Sequence, residues 1–187
     1  MEPSLDATLA AAADGDEQAW RHIVDTYAGR VYGVVFRQCG DRELSEEITQ
    51  DTFVKVVTKL GDYNETGRFE AWLFRIATNR LRDEIRRRKR QANPVDFSAT
   101  PPEALGYQEE DPASPDAPLL TAESNSQLAA AIAELSEADQ QILNLRYVGE
   151  LSYQQIADTL DQPLGTVLAR GHRALKKLKT RLAEEAA

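Results

Sequence analysis

The sequence predicts an all-α protein of two small helical domains, residues 1–91 and 128–187, joined by an acidic, proline-rich linker over 92–127. Three observations carry this prediction. Outside the linker, apolar residues recur at helical spacing, and nowhere is there the sustained alternation a strand requires. Six of the eight prolines fall between 91 and 127, a stretch with seven acids and no Lys or Arg. Proline removes interior helix hydrogen bonds, and the few apolar residues there show no period, so an extended or disordered tether is expected. Finally, charge is segregated. Residues 68–90 hold nine bases against three acids and 163–182 hold six bases and no acid, in a chain whose net charge is −9. Two basic stretches in an acidic body suit two separate phosphate contacts, with nonspecific adhesion limited by the remainder. Solvated helix faces are the plainer alternative.

Composition closes off several classes. With one cysteine, Cys39, and two histidines, His22 and His172, the chain has no disulfide framework and too few ligands for a zinc site. No apolar run approaches the roughly 20 residues that span a bilayer. The start, "MEPSLDATLAAAADGDEQAW", lacks the basic opening and apolar core of a signal peptide. A cytoplasmic protein without membrane insertion is expected. There is no glycine-rich phosphate loop and no Ser/His/Asp or Cys/His set at usable spacing. No enzyme, cofactor, metal or small-molecule substrate is therefore expected.

The first helix placed by periodicity covers 16–38, with Trp20, Ile23, Val24, Tyr27, Val31, Val34 and Val35 as its apolar set. The second covers 43–60, with Phe53, Val56, Val57 and Leu60 as one buried stripe. Its other face carries Glu46, Glu47, Gln50 and Asp51, of which the three acids fall in the first half, where the helix dipole alone would favour them. Gly61, Asn64 and Gly67 then make a loop. From Phe69 a third helix buries Phe69, Trp72, Leu73, Ile76 and Ala77, extended by Leu81 and Ile85. Arg75, Asn79, Arg80 and Asp83 project from it, and Arg86–Arg90 continue a positive ridge. Asn and Arg pair with base edges, and Arg and Lys neutralise phosphate. The loop with Tyr63 or Trp72 could equally support an unstacked base, although Trp72 also reads as a core aromatic.

After the linker, Leu128, Ile132 and Leu135 precede a break at Ser136, and Ile142, Leu145 and Val148 follow it. "SEAD" and "SYQQ" resemble capping boxes, so helices begin at both. "DQP" is a tight turn, and Pro163 suits a first helical turn. The last helix buries Val167, Ala174, Leu175, Leu178 and Leu182. Two short helices joined by a tight turn, the second basic on its free face, form a helix-turn-helix, with Ala157 small enough to let the pair approach closely.

Together these segments resemble the extracytoplasmic-function class of bacterial RNA polymerase sigma factors. "DRELSEEITQDTFVKVV" is similar to the acidic helix of sigma domain 2, and "FEAWLFRIATNRLRDEIRRRKR" to its promoter-reading helix. "LSYQQIADTLDQPLGTVLARGHRALKKL" is similar to sigma domain 4. The resemblance implies that Glu46, Glu47, Gln50 and Asp51 face the β′ clamp helices of core RNA polymerase. It further implies that Asn64, Arg68, Trp72, Arg75, Asn79, Arg80 and Asp83 read and open the −10 element of promoter DNA. Thr166, Leu168, Ala169, Arg170, His172, Arg173, Lys176 and Lys177 would serve the −35 element, with domain 4 on the β flap. The acidic linker would thread polymerase channels as a nucleic-acid mimic, and an anti-sigma partner is common in this class.

Three positions depart from the family pattern. Leu168 and Ala169 stand where Lys or Arg followed by Ser is frequent, which shifts base reading towards His172 and Arg173. Gly171 replaces an aliphatic residue, at a helix cost of roughly 1 kcal/mol. Asp161 takes a turn position often given to Gly, and Asp tolerates left-handed geometry. A stand-alone regulator with an N-terminal sensor is the competing reading, but the acidic helix and the basic stretch 68–90 have no use in a sensor.

Overall fold

Short polar side chains set most helix starts. The computed structural model describes residues 4–63, 67–91 and 127–185. Ser4 opens α1 (Leu5–Ala13), its hydroxyl accepting from the Ala7 N–H. Asp16 opens α2 (Glu17–Cys39), accepting from Gln18 and Ala19 at 2.8 and 2.9 Å. Asp41 opens α3 (Arg42–Leu60), and α4 runs Phe69–Gln91. The described part of α5 covers 127–133, and Ser136 caps α6 (Glu137–Tyr147). A reciprocal Ser152–Gln155 capping box opens α7 (Tyr153–Leu160), and α8 runs Leu164–Glu185. Such caps satisfy amide donors that no helical carbonyl reaches, each contributing about 1 kcal/mol. No strand occurs among the described residues, in accord with the all-α prediction. Asn64 lies outside the described residues, as does the predicted linker except Gln127, which is already helical.

The apolar stripe predicted for α3 is displaced. Its buried line is Leu44, Ser45, Ile48, Thr52, Val56 and Leu60, whereas Val57 is 50% exposed and Phe53 only partly covered. Two hydroxyl residues cause the shift. Ser45 donates to the Asp41 carbonyl and Thr52 to that of Ile48, so both enter the core with their polar atoms satisfied within their own helix. An apolar-only pattern passes over them. Val24, expected in the α2 core, is likewise 38% exposed. The sequence reading also did not single out α1, where Thr8, Leu9 and Ala12 are buried. Its run of alanines offers little contrast between faces.

Burial on α4 is wider than predicted, because Ala71, Phe74 and Thr78 join Phe69, Leu73, Ala77 and Leu81 inside. The cause is a second layer. One continuous core runs from α1–α4 into Ile142 and Leu145 of α6, Leu151 in the turn before α7, Ile156 and Ala157 of α7, and Val167 of α8. A smaller cluster of Ala131, Leu135, Leu143, Ala174 and Leu178 ties α5, α6 and α8. The two predicted domains thus meet along a seam, α6 on α2 and α7 on α4.

Bare backbone sets how closely that seam closes. A Cβ at Gly33 would stand 2.8 Å from Val148 Cγ1; one at Gly149 would first meet the Leu145 carbonyl oxygen of its own turn at 2.7 Å and then Val34 Cγ2 at 3.2 Å. Arg30 donates twice to the Gly149 carbonyl, at 3.1 and 2.5 Å, and Asn144 donates to that of Val34 at 2.8 Å. Thr159, itself buried, donates to the Ala71 carbonyl at 3.2 Å.

Candidate functional site

Three surfaces collect the predicted site residues. On α3, Glu46, Glu47 and Gln50 are exposed and share a side with the half-exposed Asp51. Glu46 accepts from Arg42 one turn earlier at 3.1 Å, and Asp51 binds Arg80 of α4 at 2.6 Å. Beside these acids lies an open apolar groove lined by Val24, Tyr32, Phe53, Val54 and Val57. Val54 and Val57 are 57% and 50% exposed, an outward apolar patch that a monomer has no internal use for. The sequence reading missed this groove because it placed Phe53 and Val57 in the core. The available signal was an excess of apolar residues on α3: Val54 lies off the predicted stripe.

The second surface lies on α4 at the seam. Trp72 is partly covered and stacks on Tyr63, with ring centroids 4.6 Å apart and planes at 22°. It also tilts against Phe69. Trp72 thus packs among core aromatics while staying partly accessible. Arg68 and Arg75 are exposed on the same side, and both engage α7: Arg68 approaches the Asp158 carboxylate at 3.8 Å, and Arg75 donates to the Asp158 carbonyl. A cavity of about 600 Å³ is lined by these residues together with Asp158, Gln162 and Pro163. Asn79 and Asp83 are exposed further along, where Arg82 donates to Asn79 at 3.3 Å. Arg80 points elsewhere, to α3.

At the end of α4 the basic ridge is partly neutralised. Glu84 is buried and accepts from Arg87 at 2.7 and 2.8 Å and from Arg88 at 3.0 Å. The Arg87 hydrogen bond, then that of Arg88, holds its carboxyl down to about 2. The Leu44 amide and then Arg88 also lower the Asp41 carboxyl. Arg88 therefore fastens α4 to the α3 cap, while Arg86, Lys89 and Arg90 are exposed.

The third surface is the outer side of α8. Val167, Gly171, Ala174 and Leu178 form its buried line. Thr166, Leu168, Ala169, His172, Arg173 and Lys176 are all exposed. Arg170 and Lys177 lie on the flank nearer the bundle. Arg170 meets Asp139 at 3.3 Å, and Lys177 donates to the Glu134 carbonyl at 2.7 Å. Gly171 has a structural reason: a Cβ there would meet the Tyr153 ring at 2.8 Å. The ring also lies under Arg146, 5.4 Å from its centroid. Asp161 caps α7 with φ 54° and ψ 49°, the left-handed geometry expected of it.

Among the described residues, no three His, Cys, Asp or Glu side chains group to hold a metal, and no helix is long and apolar enough to cross a membrane. Residues 23–91 match the Sigma-70 region 2 family and residues 125–178 match Sigma-70, region 4. The chain is 35% identical over 192 residues to the ECF RNA polymerase sigma factor SigE of Mycolicibacterium smegmatis, covering 98% of this chain and 71% of that one.

The chain belongs to the ECF RNA polymerase sigma factors.

The sigma factor is also 28% identical to SigW of Bacillus subtilis, over 97% of this chain and 98% of that one. Its fold is shared with CnrH, solved in complex with the cytosolic domain of CnrY, at a TM-score of 0.64 and 23% identity, over 95% of this chain and 96% of that one. Region 2 takes in most of α2 together with α3 and α4, and region 4 takes in α5 to the middle of α8. The sigma factor directs promoter-specific transcription initiation, and its region 4 is a DNA-binding region.

Proposed function

We propose that the three surfaces divide the work of initiation. The α3 face, acids beside an apolar groove, seats on the clamp helices of the polymerase β′ subunit. Glu46, Glu47 and Asp51 supply charge, Gln50 a neutral amide for hydrogen bonding, and Val54 and Val57 apolar area. The α4 face reads and helps open the −10 element, with Trp72 as a stacking platform and Arg68, Arg75, Asn79 and Asp83 around it; Arg80 joins them on leaving Asp51. The outer side of α8 enters the major groove at −35, while domain 4 rests on the β flap. His172 and Arg173 meet base edges there, Leu168 and Ala169 can meet thymine methyls, and Thr166 and Lys176 meet phosphate. Arg170 and Lys177 reach phosphate from the flank. The polymerase performs the chemistry, and the sigma factor acts in the cytoplasm without catalysis of its own. RpoE from Bartonella quintana, which shares the fold, was solved in complex with the anti-sigma factor NepR; a protein inhibitor of that kind is a reasonable partner here.

The observation that supports this reading most is the side of α8 facing away from its buried line, where polar, basic and small residues stand exposed on the second helix of a helix-turn-helix. Run-off transcription with purified core polymerase tests it. Initiation at discrete start sites that require both elements is expected. Retardation of promoter DNA by the chain alone, with no effect of core polymerase, would instead identify a stand-alone regulator.

A further inference from the structure

We propose that the cavity between α4 and the turn after α7 is a binding site for a free guanine nucleotide. Such a site goes beyond the promoter-reading roles above and stands on its own lining.

At about 600 Å³, the cavity falls within the range of about 300–1,000 Å³ that small-molecule sites occupy. Ala71 of α4 and Ala157 of α7, both buried, line it from the two helices, and a larger side chain at either position would fill it. The turn after α3 and α4 itself contribute flat rings and positive charge. Tyr63 and Trp72 line the cavity as a stacked pair, a wall against which a base packs. Arg68 and Arg75 line it as well. A guanidinium carries five N–H donors in a fork that fits phosphate. The bond Arg75 gives to the Asp158 carbonyl leaves others of its donors for an anionic group.

The opposite wall offers acceptors. Asp161 and Gln162 are neighbours in the turn after α7, and both line the cavity. That turn is fixed, because the N–H groups of both residues donate to the Ala157 carbonyl. Gln162 Oε1 is buried and accepts no hydrogen bond among the described residues. A buried acceptor is costly to leave unmet, so an oxygen on a cavity wall calls for a donor from a ligand. Asp161 adds an exposed carboxylate at a position this class often gives to glycine. Glycine suits the left-handed geometry at least as well, so the turn alone does not account for the carboxylate.

These walls together select the base. Carboxylate and amide oxygens accept and do not donate. Guanine presents two adjacent donor groups on its Watson–Crick edge, N1–H and the 2-amino group, and so meets both acceptors. Adenine offers only its 6-amino group there, and its N1 would face an oxygen. With the base between the rings and the turn, the phosphate falls to Arg75 and Arg68.

Isothermal titration calorimetry on the full chain, without polymerase or promoter, tests the site. The probes are GMP, AMP and a thymidine hexamer carrying one central guanine, since a guanine in single-stranded DNA has the same edge. GMP is expected to bind at one site per chain and to raise the thermal midpoint as its concentration rises. AMP should bind at least about tenfold more weakly, because a site built to pair with a donor rejects the analogue lacking it. Asp161→Gly combined with Gln162→Leu should weaken GMP binding at least about tenfold while the circular dichroism stays that of wild type. If that variant does not fold, Gln162→Leu alone serves, with a smaller loss in the same direction. Neither heat nor a midpoint shift at millimolar GMP, equal affinity for AMP, or undiminished binding by the folded variant would overturn the nucleotide site. Preference for the hexamer over GMP would overturn it too and assign the cavity to a DNA strand. Any of these failures leaves the sigma assignment standing, and failure of run-off transcription leaves the nucleotide site standing.

Discussion

Asp51 Oδ2 accepts two hydrogen bonds from Arg80, at 2.9 Å from Nε and 2.6 Å from Nη2. One pair thus joins the acidic face of α3 to the basic helix α4. Both side chains are more than two-fifths exposed, so the pair adds about 0–1 kcal/mol to stability, and its significance is positional. Whatever takes up Asp51 frees a guanidinium on the promoter-reading helix.

Charge reversal of Glu47 and Asp51 combined with Gln50→Lys should weaken capture of core polymerase strongly and move the thermal midpoint little. All three lie at the surface, and surface changes of this kind are usually worth within about 0.5 kcal/mol each. A pull-down against core polymerase, paired with thermal denaturation, checks both halves of the statement. Undiminished capture would refute the docking role of this face.

Arg173 and Lys176 should separate by what they read. Arg173→Ala is expected to lose about 1–3 kcal/mol at one −35 base pair, whereas Lys176→Ala should weaken binding evenly and lower the salt slope by about 1. Holoenzyme affinities for a panel of single-base −35 substitutions, taken at two salt concentrations, distinguish the two. Identical sensitivity of both variants to every base would contradict the assignment.

Replacing glycine inside a helix ordinarily gains about 1 kcal/mol. Gly171→Ala should do the opposite, because the new methyl meets the Tyr153 ring, and overpacking costs about 1–3 kcal/mol. In a Tyr153→Ala background the same substitution should become stabilising. Urea midpoints for the four proteins of this double-mutant cycle give the coupling directly.

Acid should loosen α4 through Glu84. Its folded carboxyl is lowered from 4.5 to about 2. Stability from this group is therefore fully present above the unfolded value and is lost as pH falls through the window between the two. Urea midpoints should decline over that window, and Glu84→Gln should flatten this part of the profile while lowering stability at neutral pH. An unchanged acid limb in the variant would show that Glu84 is not the titrating group.

Much of this was legible because caps and turns are local. Asp16 apart, the starts at Ser136 and Ser152 and the left-handed Asp161 follow from a few neighbouring residues, and the structure bears them out. The outer side of α8 was legible for the same reason, since its buried line is nearly all apolar. The α3 core line was not, because Ser45 and Thr52 look polar until their hydroxyls turn back on the helix. Gly171 stood out as a departure from the family, but its cause, Tyr153, lies on another helix. The seam was the least legible feature. Glycines at 33 and 149 carry no period, and the widened burial of α4 depends on a partner from the far end of the chain.

The outward valines of α2 and α3 have a practical consequence for handling the isolated protein. Val24, Val54 and Val57 leave a water-facing oily strip on a molecule whose net charge is −9. In dilute buffer, mutual repulsion keeps such strips apart. As added salt shortens the range of that repulsion, copies should begin to stick to each other, so concentrated stocks will keep best at low ionic strength or with the strip occupied.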